Sequence, residues 1–372
     1  MEGRYGGPQA RIGSIAGKLK RHGIEMIAVI PLNDSEFFYR RLLENGTPVR
    51  RMKLHRLTKR GPDLLKFLVL FVWELFSLYR MFKKEQVNIV HCNGSWQIKG
   101  VIAGKLARKN VVWHLNDTEM PGLMRFIFRF VALHFCDFYI NAGERVKTYY
   151  LNDPRLWKKH MVEIQSPVDT SIFSPKNVRT DEKMARFNGL RIVTVGNLNP
   201  RKGIEYFIQM ASLLNKHHDN LNFFVVGSHF ATQRKYIKAI SDLVKSLDVE
   251  NVHFCGISDD VPSIMKAADV YVCSSISEAS PISVWEAMSM ARAIVTTDVG
   301  DVAKFIRDAH NGFVVPPKDA AALAARVGML IEDEELRKDF GARARDVAVN
   351  SLDIDVCAKK HAQFYREIMK RA

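Results

Sequence analysis

The sequence contains few cysteines, and none has the spacing of a zinc site or a disulfide framework. The five cysteines, at positions 92, 136, 255, 273 and 357, include no Cys-x-x-Cys pair and are odd in number. Several lie in apolar, strand-like runs. We therefore expect buried, reduced thiols in a cytosolic protein.

Three other features are missing from the sequence. No Gly-x-Gly-x-x-Gly follows a predicted strand, which argues against a nicotinamide-dependent enzyme. The stretch 1–17 is rich in glycine and has no apolar run, so we expect no signal peptide. The most lipophilic stretch, 64–82, is interrupted by Lys66, Glu74 and Arg80, which makes it too charged for a transmembrane span.

Positive charge is abundant and unevenly distributed. The 372 residues predict two or more domains, and their net charge is +15. Residues 1–175 carry 28 of the 55 basic side chains but only 15 of the 40 acidic ones, while residues 176–372 are nearly balanced. This asymmetry predicts two domains with different partners.

The most informative stretch runs from the predicted strand 268–273, through a serine-rich loop, into a predicted helix at 282–290. Pro281 suits the first helical position. Free N–H groups and the positive end of the helix dipole favour a phosphate at such a helix start. Glu278 and Glu286, separated by seven residues, could accept hydrogen bonds from sugar hydroxyls. The combination suits a sugar nucleotide; the alternative is an ordinary helix with a capping Glu278 and a solvated Glu286.

The Glu-x7-Glu spacing, with the following Ala-Met-Ser-Met-Ala-Arg-Ala-Ile-Val-Thr-Thr-Asp-Val-Gly, resembles the signature of retaining GT-B glycosyltransferases of the group 1 family, of the bacterial surface-polysaccharide type. The resemblance implies an α/β fold with two Rossmann-like domains whose parallel sheets face a central cleft. It implies an acceptor domain at 1–175 and a nucleotide-sugar domain at 176–350. Residues 176–188 are polar and lack an apolar period, so we interpret them as the linker. A last helix at 351–372 would cross back to the first domain.

A second motif, Gly-Asn-Leu-Asn-Pro-Arg-Lys-Gly at 196–203, lies between a predicted strand and a predicted helix and resembles the family's Gly-x-Leu-x-x-x-Lys-Gly. Arg201 could hold a diphosphate by its planar fork and Lys202 as a point charge. Without the resemblance, a solvated basic turn would be the simpler interpretation. By the resemblance, these cations stabilise the departing diphosphate in place of a metal, so we expect no metal. The resemblance also implies retention at the anomeric carbon, and we expect no cofactor.

The resemblance also assigns individual residues. It gives catalytic roles to Arg201, Lys202, Glu278 and His114, the last of which follows the predicted strand 111–114 and would reach the donor sugar. From the residues alone, a buried structural histidine is the alternative. The predicted substrate-binding residues are Gly6, Gly7, Gly196, Asn197, Gly256, Ile257, Ser280, Pro281, Ile282, Ser283 and Glu286.

Gly6 and Gly7 resemble a glycine pair that, in the family, follows the first strand and faces the donor phosphates. Here that first N-terminal strand is missing and the sequence begins at the loop. A flexible N-terminus is the alternative interpretation of the glycines.

A basic stretch at 50–66 leads directly into the lipophilic stretch 64–82. Together they predict contact with an anionic membrane surface through residues 50–82, although a core-facing helix with a solvated basic loop fits the same pattern. We expect a UDP-sugar donor, a lipid-linked or polysaccharide-precursor acceptor, and a cytoplasmic protein peripheral to the inner face of the cell membrane.

Two other classes of function stay open. A pI near 9.6 is typical of nucleic-acid-binding proteins, but no such motif is recognisable, so we expect no nucleic acid. A non-catalytic sugar-nucleotide-binding or scaffold protein is the other alternative, because the first strand is missing.

Overall fold

A computed structural model describes residues 7–33, 35–55, 61–228 and 233–371. The chain forms two compact units, the first comprising residues 1–166 and 354–372 and the second residues 167–353. The division thus falls before residue 167, not after the predicted residue 175. Val168 is buried in a core of the second unit, and Lys266 Nζ donates a hydrogen bond to the Pro175 carbonyl, so this segment packs with the second unit.

The first unit contains two groups of parallel strands. Strands β3 to β6 form one sheet in sequential order, and β1 pairs with β2 in a separate sheet. In chain order its elements are α1 (Gly7–Lys20), β1 (Ala28–Pro31), α2 (Glu36–Glu44), β2 (Val49–Met52), α3 (Gly61–Lys84), β3 (Ile89–Asn93), α4 (Ile98–Leu106), β4 (Asn110–Leu115), α5 (Gly122–Phe135), β5 (Phe138–Asn141), α6 (Glu144–Leu151), α7 (Pro154–Trp157), β6 (His160–Glu163) and the C-terminal α15 (Ile354–Arg371).

Helices cover both faces of the β3–β6 sheet, because successive strand residues point to opposite faces. On one face, Ile15 of α1 and Ile354 of α15 pack with Val112 of β4. On the other face, the Trp113 ring lies 4.4 Å from that of Phe128 in α5, centroid to centroid. The α4 helix lies on this second face as well, since it packs closely on β3 and β4 through Gly104. Within the described ranges, no helix combines the length and apolarity needed to cross a membrane.

The second unit is built on one six-stranded parallel sheet with the order β12-β11-β10-β7-β8-β9. Its elements are α8 (Glu182–Ala185), β7 (Leu190–Val195), α9 (Ile204–Leu214), β8 (Leu221–Val226), α10 (Arg234–Ser246), β9 (Val252–Gly256), α11 (Val261–Ala267), β10 (Val270–Cys273), α12 (Ile282–Ser289), β11 (Ala293–Thr297), β12 (Phe313–Val315), α13 (Ala320–Glu332) and α14 (Glu334–Val347). Helix α8 lies inside the predicted linker 176–188, and its Met184 is buried against the sheet, so this segment is part of the second unit.

The order of these strands fixes where a ligand can bind. Counted from β7 along the chain, it is the 3-2-1-4-5-6 order of a doubly wound nucleotide-binding fold. The central neighbours β7 and β10 pair through Val270 with Ile192 and Tyr271 with Val193. Connections leave this pair of strands toward opposite edges of the sheet, which opens a crevice beyond their carboxyl ends.

Four of the five cysteines are buried free thiols, but Cys255 is exposed near the end of β9. The expectation of buried thiols therefore does not hold for Cys255. The apolar run around Cys273 correctly predicted its burial, since Cys273 ends the central strand β10.

Candidate functional site

The loops that follow β7 and β10 meet at the crevice between these two strands. The first loop is residues 196–203 and the second is residues 274–281, and they are the two motifs that the sequence analysis singled out. The Ile276 N–H donates to the Arg201 carbonyl at 2.7 Å, and Ser274 Oγ donates to the Lys202 carbonyl at 3.1 Å. The loops are therefore joined to each other by hydrogen bonds.

Two glycines allow this close approach. Gly203 has a φ of +57°, and a Cβ there would lie 2.2 Å from the Ser274 carbonyl oxygen. At Gly196 a Cβ would lie 2.9 Å from Cε of Lys202, so the absent side chain makes room for the lysine stem. Glycine at these positions lets the second loop approach and lets Lys202 lie across the crevice.

Lys202 and Glu278 form an ion pair across the two loops. Lys202 Nζ lies 2.7 Å from Glu278 Oε1, and the two side chains are 24% and 17% exposed. Ser275 Oγ donates to the same carboxylate oxygen at 2.9 Å. Burial acts to lower the pKa of Lys202, but the Glu278 carboxylate outweighs it and the pKa is raised above its usual value. Lys202 is therefore a fixed positive charge inside the crevice. Arg201 lies beside it with an exposed side chain.

Helix α12 begins at this crevice. It starts at Ile282, and Pro281 takes the N-cap position instead of the predicted first helical position. No side chain caps the helix, and the N–H groups of Ile282 and Ser283 have no intrahelical acceptor because they belong to its first turn. Ser283 Oγ instead accepts a hydrogen bond from Tyr271 Oη at 2.8 Å. The amides are available to an anion.

Glu286 lies within α12, and its carboxyl group is partly buried. Desolvation by burial raises the pKa of Glu286 to about 7, against the opposing effect of the Lys202 charge. Because this pKa is raised on folding, its contribution to stability is complete below the usual pKa near 4.5 and is lost as the pH rises through 7.

We expect the free energy of unfolding of the wild type to fall between pH 5 and pH 7 by more than that of Glu286→Gln, since the amide cannot ionise. Urea titrations of both proteins at several pH values measure this. Parallel pH dependences in the two proteins would contradict the burial of this carboxyl group.

The next two strands bring further predicted residues to the same edge of the sheet. Asn197 Oδ1 accepts a hydrogen bond from Ser228 Oγ at 2.6 Å, and the Gly227 N–H donates to the Gly256 carbonyl at 2.8 Å. Ile257 is 75% exposed just after β9. In the second loop, Ser280 Oγ accepts from Trp285 Nε1, which fixes the approach to α12. The structure thus places every predicted residue of the second unit at the carboxyl edge of one sheet.

Of the residues predicted in the first unit, the two that the structure describes, Gly7 and His114, form no comparable site. Gly7 begins α1, and Gly6 lies outside the described residues. His114 is fully buried between the sheet and helices α1 and α15. Arg11 Nη2 lies 2.5 Å from its Nε2, and His91 Nε2 lies 3.1 Å from its Nδ1. An arginine can only donate, so His114 accepts from Arg11 through a ring nitrogen that carries no proton.

Burial lowers the pKa of His114 well below its usual value, and the Arg11 charge lowers it further. A neutral imidazole with both nitrogens in contact with buried partners is suited to a structural role. Its predicted contact with a donor sugar stays a prediction. The side chains that do follow β4 at the carboxyl edge are polar: Asn116 donates to Asn93, and Asp117 accepts from Ser95 and Tyr150.

Sequence reasoning missed residues that hold the loops. Thr297 Oγ1, at the end of β11, donates to the Ser275 carbonyl at 2.6 Å, and Ser228 supports Asn197. Thr297 belongs to the Thr-Thr-Asp-Val-Gly run that carried the resemblance, so its motif was a signal. The Lys202–Glu278 pair had no such signal, because its members are 76 positions apart in the chain.

Family models match both halves of the chain. Residues 181–347 match the model described as Glycosyl transferases group 1. Residues 5–172 match the model described as Glycosyltransferase Family 4. These matches confirm the resemblance that the sequence motifs indicated.

Two curated relatives come from Campylobacter jejuni. The N,N'-diacetylbacillosaminyl-diphospho-undecaprenol alpha-1,3-N-acetylgalactosaminyltransferase is 27% identical over 195 residues, which cover 52% of this chain and 48% of that one. The GalNAc-alpha-(1->4)-GalNAc-alpha-(1->3)-diNAcBac-PP-undecaprenol alpha-1,4-N-acetyl-D-galactosaminyltransferase is 24% identical over 91% of this chain and 89% of its own. The chain thus spans about half the length of the first relative and most of the second.

Among solved structures, Anabaena Alr3699/HepE in complex with UDP superposes with a TM-score of 0.80 at 19% identity, covering 98% of this chain and 97% of that one. At this identity the likeness shows the fold alone. With the two parallel-sheet units, it confirms the predicted α/β fold of the GT-B type.

Proposed function

Because this chain belongs to the GT-B glycosyltransferases, with the group 1 model over its second unit, we propose that it transfers a sugar from a nucleotide diphosphate sugar to a lipid-linked or polysaccharide-precursor acceptor. The Lys202–Glu278 pair at the crevice between β7 and β10 carries the proposal. A cation, uncapped helix amides and carboxylates that can accept hydroxyl hydrogen bonds meet there within one unit.

The chemistry follows from the charges. A glycosyl phosphate bond breaks through an oxocarbenium-like state while negative charge builds on the departing diphosphate. In the proposal, Lys202, Arg201 and the amides of Ile282 and Ser283 stabilise that charge as it forms, which the Lys202 ion pair and the uncapped start of α12 support. In the proposal, these groups do this without a metal, and the sugar keeps its anomeric configuration.

Glu278 and Glu286 bind the two sugars of the donor. Glu278, at the tip of the second loop, accepts hydrogen bonds from hydroxyls of the transferred sugar. Glu286, farther along α12, accepts hydrogen bonds from the ribose. The Glu278 contact with Lys202 also orients the ammonium group before the donor arrives, so the site is partly organised in advance.

UDP is the favoured nucleotide, and the acceptor carries a lipid. By its name, the first Campylobacter jejuni relative acts on an undecaprenol-linked substrate. The Anabaena structure, which has the same fold, is a complex with UDP. The first unit binds the acceptor at the cytoplasmic face of the cell membrane, where its excess of basic residues favours anionic headgroups.

The test is a panel of UDP- and GDP-sugars incubated with the protein in the presence of EDTA, with nucleotide diphosphate release followed by NMR or mass spectrometry. We expect slow hydrolysis of one donor, with the released sugar first seen in the donor's anomeric configuration. A folded protein that neither binds nor consumes any donor would overturn the proposal. Binding without turnover would favour a sugar-nucleotide-binding scaffold.

A further inference from the structure

Helix α3 of the first unit exposes a continuous apolar stripe. Six large apolar side chains recur on one face with the spacing of an α-helix, each at least 49% exposed. They are Leu65, Leu68, Val69, Val72, Trp73 and Phe76. Trp73 alone is 71% exposed, so the stripe faces outward along three turns of the helix.

The opposite face of α3 is the one that packs on the unit. Glu74 is buried there, with Lys99 Nζ at 2.5 Å and His55 Nδ1 at 2.5 Å from its carboxylate. Leu78 and Phe82 are buried on the same side. The charge that interrupts the lipophilic sequence therefore points into the protein, and the exposed face keeps its apolar side chains.

Helix α5 exposes a second stripe that the sequence analysis did not predict. Leu123, Phe126, Ile127 and Phe130 recur with helical spacing, and Phe126 is 71% exposed. The other side of α5 is buried on the sheet through Phe128. Helix α4 packs against both α3 and α5, so the two exposed stripes belong to neighbouring helices that α4 joins.

Positive charge accompanies the α3 stripe. Among the side chains described for α3, α4 and α5, Glu74 is the single acidic one, and it is buried. Lys66, Arg80 and Lys83 are exposed on α3, and the Arg80 guanidinium lies 5.8 Å from the Phe76 ring centroid. Cations on apolar stems beside exposed aromatic rings match the boundary between acyl chains and anionic headgroups.

We propose that α3 and α5 together dock the first unit on an anionic bilayer, with both stripes in the acyl boundary and the flanking cations at the headgroups. The proposal narrows the predicted contact over 50–82 to α3 and adds α5, because the β2 residues Arg50 and Arg51 are already paired with Glu85 and Glu36. A second copy of the chain is a poorer occupant, since a symmetric contact would bring like charges together. The inference rests on the proposed function only in placing the acceptor in that bilayer.

The experiment is co-sedimentation of the full chain with vesicles of phosphatidylglycerol and phosphatidylcholine, and with phosphatidylcholine alone. We expect binding to the anionic vesicles to fall about tenfold or more in Trp73→Ser and in Phe126→Ser, since each removes a large apolar contact. Ile172→Ser, an exposed apolar site in the second unit, is the matched control and should bind as the wild type. Arg80→Gln and Lys83→Gln should weaken the preference for anionic vesicles.

Binding that no stripe substitution alters would overturn the proposal, and so would a wild type that sediments as a dimer while Phe126→Ser is monomeric. Donor hydrolysis in solution tests the proposed function separately from membrane docking, because it requires no vesicle. The stripe residues lie outside the site, so Phe126→Ser should hydrolyse a donor as fast as the wild type while losing the vesicles.

Discussion

Replacing Lys202 with methionine should lower the rate of nucleotide diphosphate release about 100- to 1,000-fold, because the charge that forms on the leaving group would lose its buried cation. The methionine keeps most of the stem that lies across Gly196. The loss should appear in kcat more than in KM, since the charge is greatest in the transition state. Stopped assays of UDP formation measure it.

Lys216→Met is the matched control, because Lys216 is an exposed lysine of the same unit. It should leave the rate of release unchanged. Lys202→Arg should restore part of the activity by keeping the charge. Equal rates for Lys202→Met and the wild type would remove Lys202 from the chemistry.

The substitution Gly203→Ala should destabilise the second unit by about 3 kcal/mol or more. A Cβ at Gly203 would lie 2.2 Å from the Ser274 carbonyl oxygen, and the φ of +57° is already costly for alanine. A loss of about 3 kcal/mol corresponds to a fall of about 6–12 °C in the Tm of a unit of this size. Thermal unfolding followed by circular dichroism measures the change.

Gly256→Ala separates the cost of the unfavourable φ from the cost of the steric clash. Gly256 has a φ of +71°, but a Cβ there would have no atom within 4 Å. Its substitution should cost only the backbone strain, about 1–2 kcal/mol. If both variants lose the same stability, the close approach of the two loops is not what requires glycine at position 203.

Much of the second unit could be predicted from local patterns. The sequence patterns predict helices over 204–214 and 320–332 and a strand over 293–297, and these bounds agree with α9, α13 and β11. The two helices combine a helical apolar period with a residue that marks their start, Gly203 before α9 and Asp319 before α13. The two loops were predicted as anion sites because each joins a strand to a helix start.

The pairing of those loops could not be derived from the sequence. It depends on strand order, since β10 lies beside β7 although two strands and their helices separate them in the chain. Hydrogen bonds between distant backbone groups, such as the Ile276 N–H with the Arg201 carbonyl, leave no sequence period. The Lys202–Glu278 pair follows from that order and was missed for the same reason.

The first unit shows a different limit. The sequence predicts His114 at the carboxyl end of a strand, but β4 extends to Leu115, so His114 lies within the strand. Which face of a strand end turns inward depends on the helices that cover it, here α1 and α15. On α3, apolar residues lie on both faces, so the sequence could not tell the core side from the exposed side.

The most direct test compares turnover with nucleotide binding in Glu278→Ala. In the proposed mechanism, Glu278 contacts the transferred sugar and the amides of α12 contact the diphosphate. Titration calorimetry should therefore find that Glu278→Ala still binds UDP, while NMR shows that it no longer releases UDP from the donor that the wild type consumes. Release that persists in Glu278→Ala would contradict the placement of the reaction at the crevice between β7 and β10.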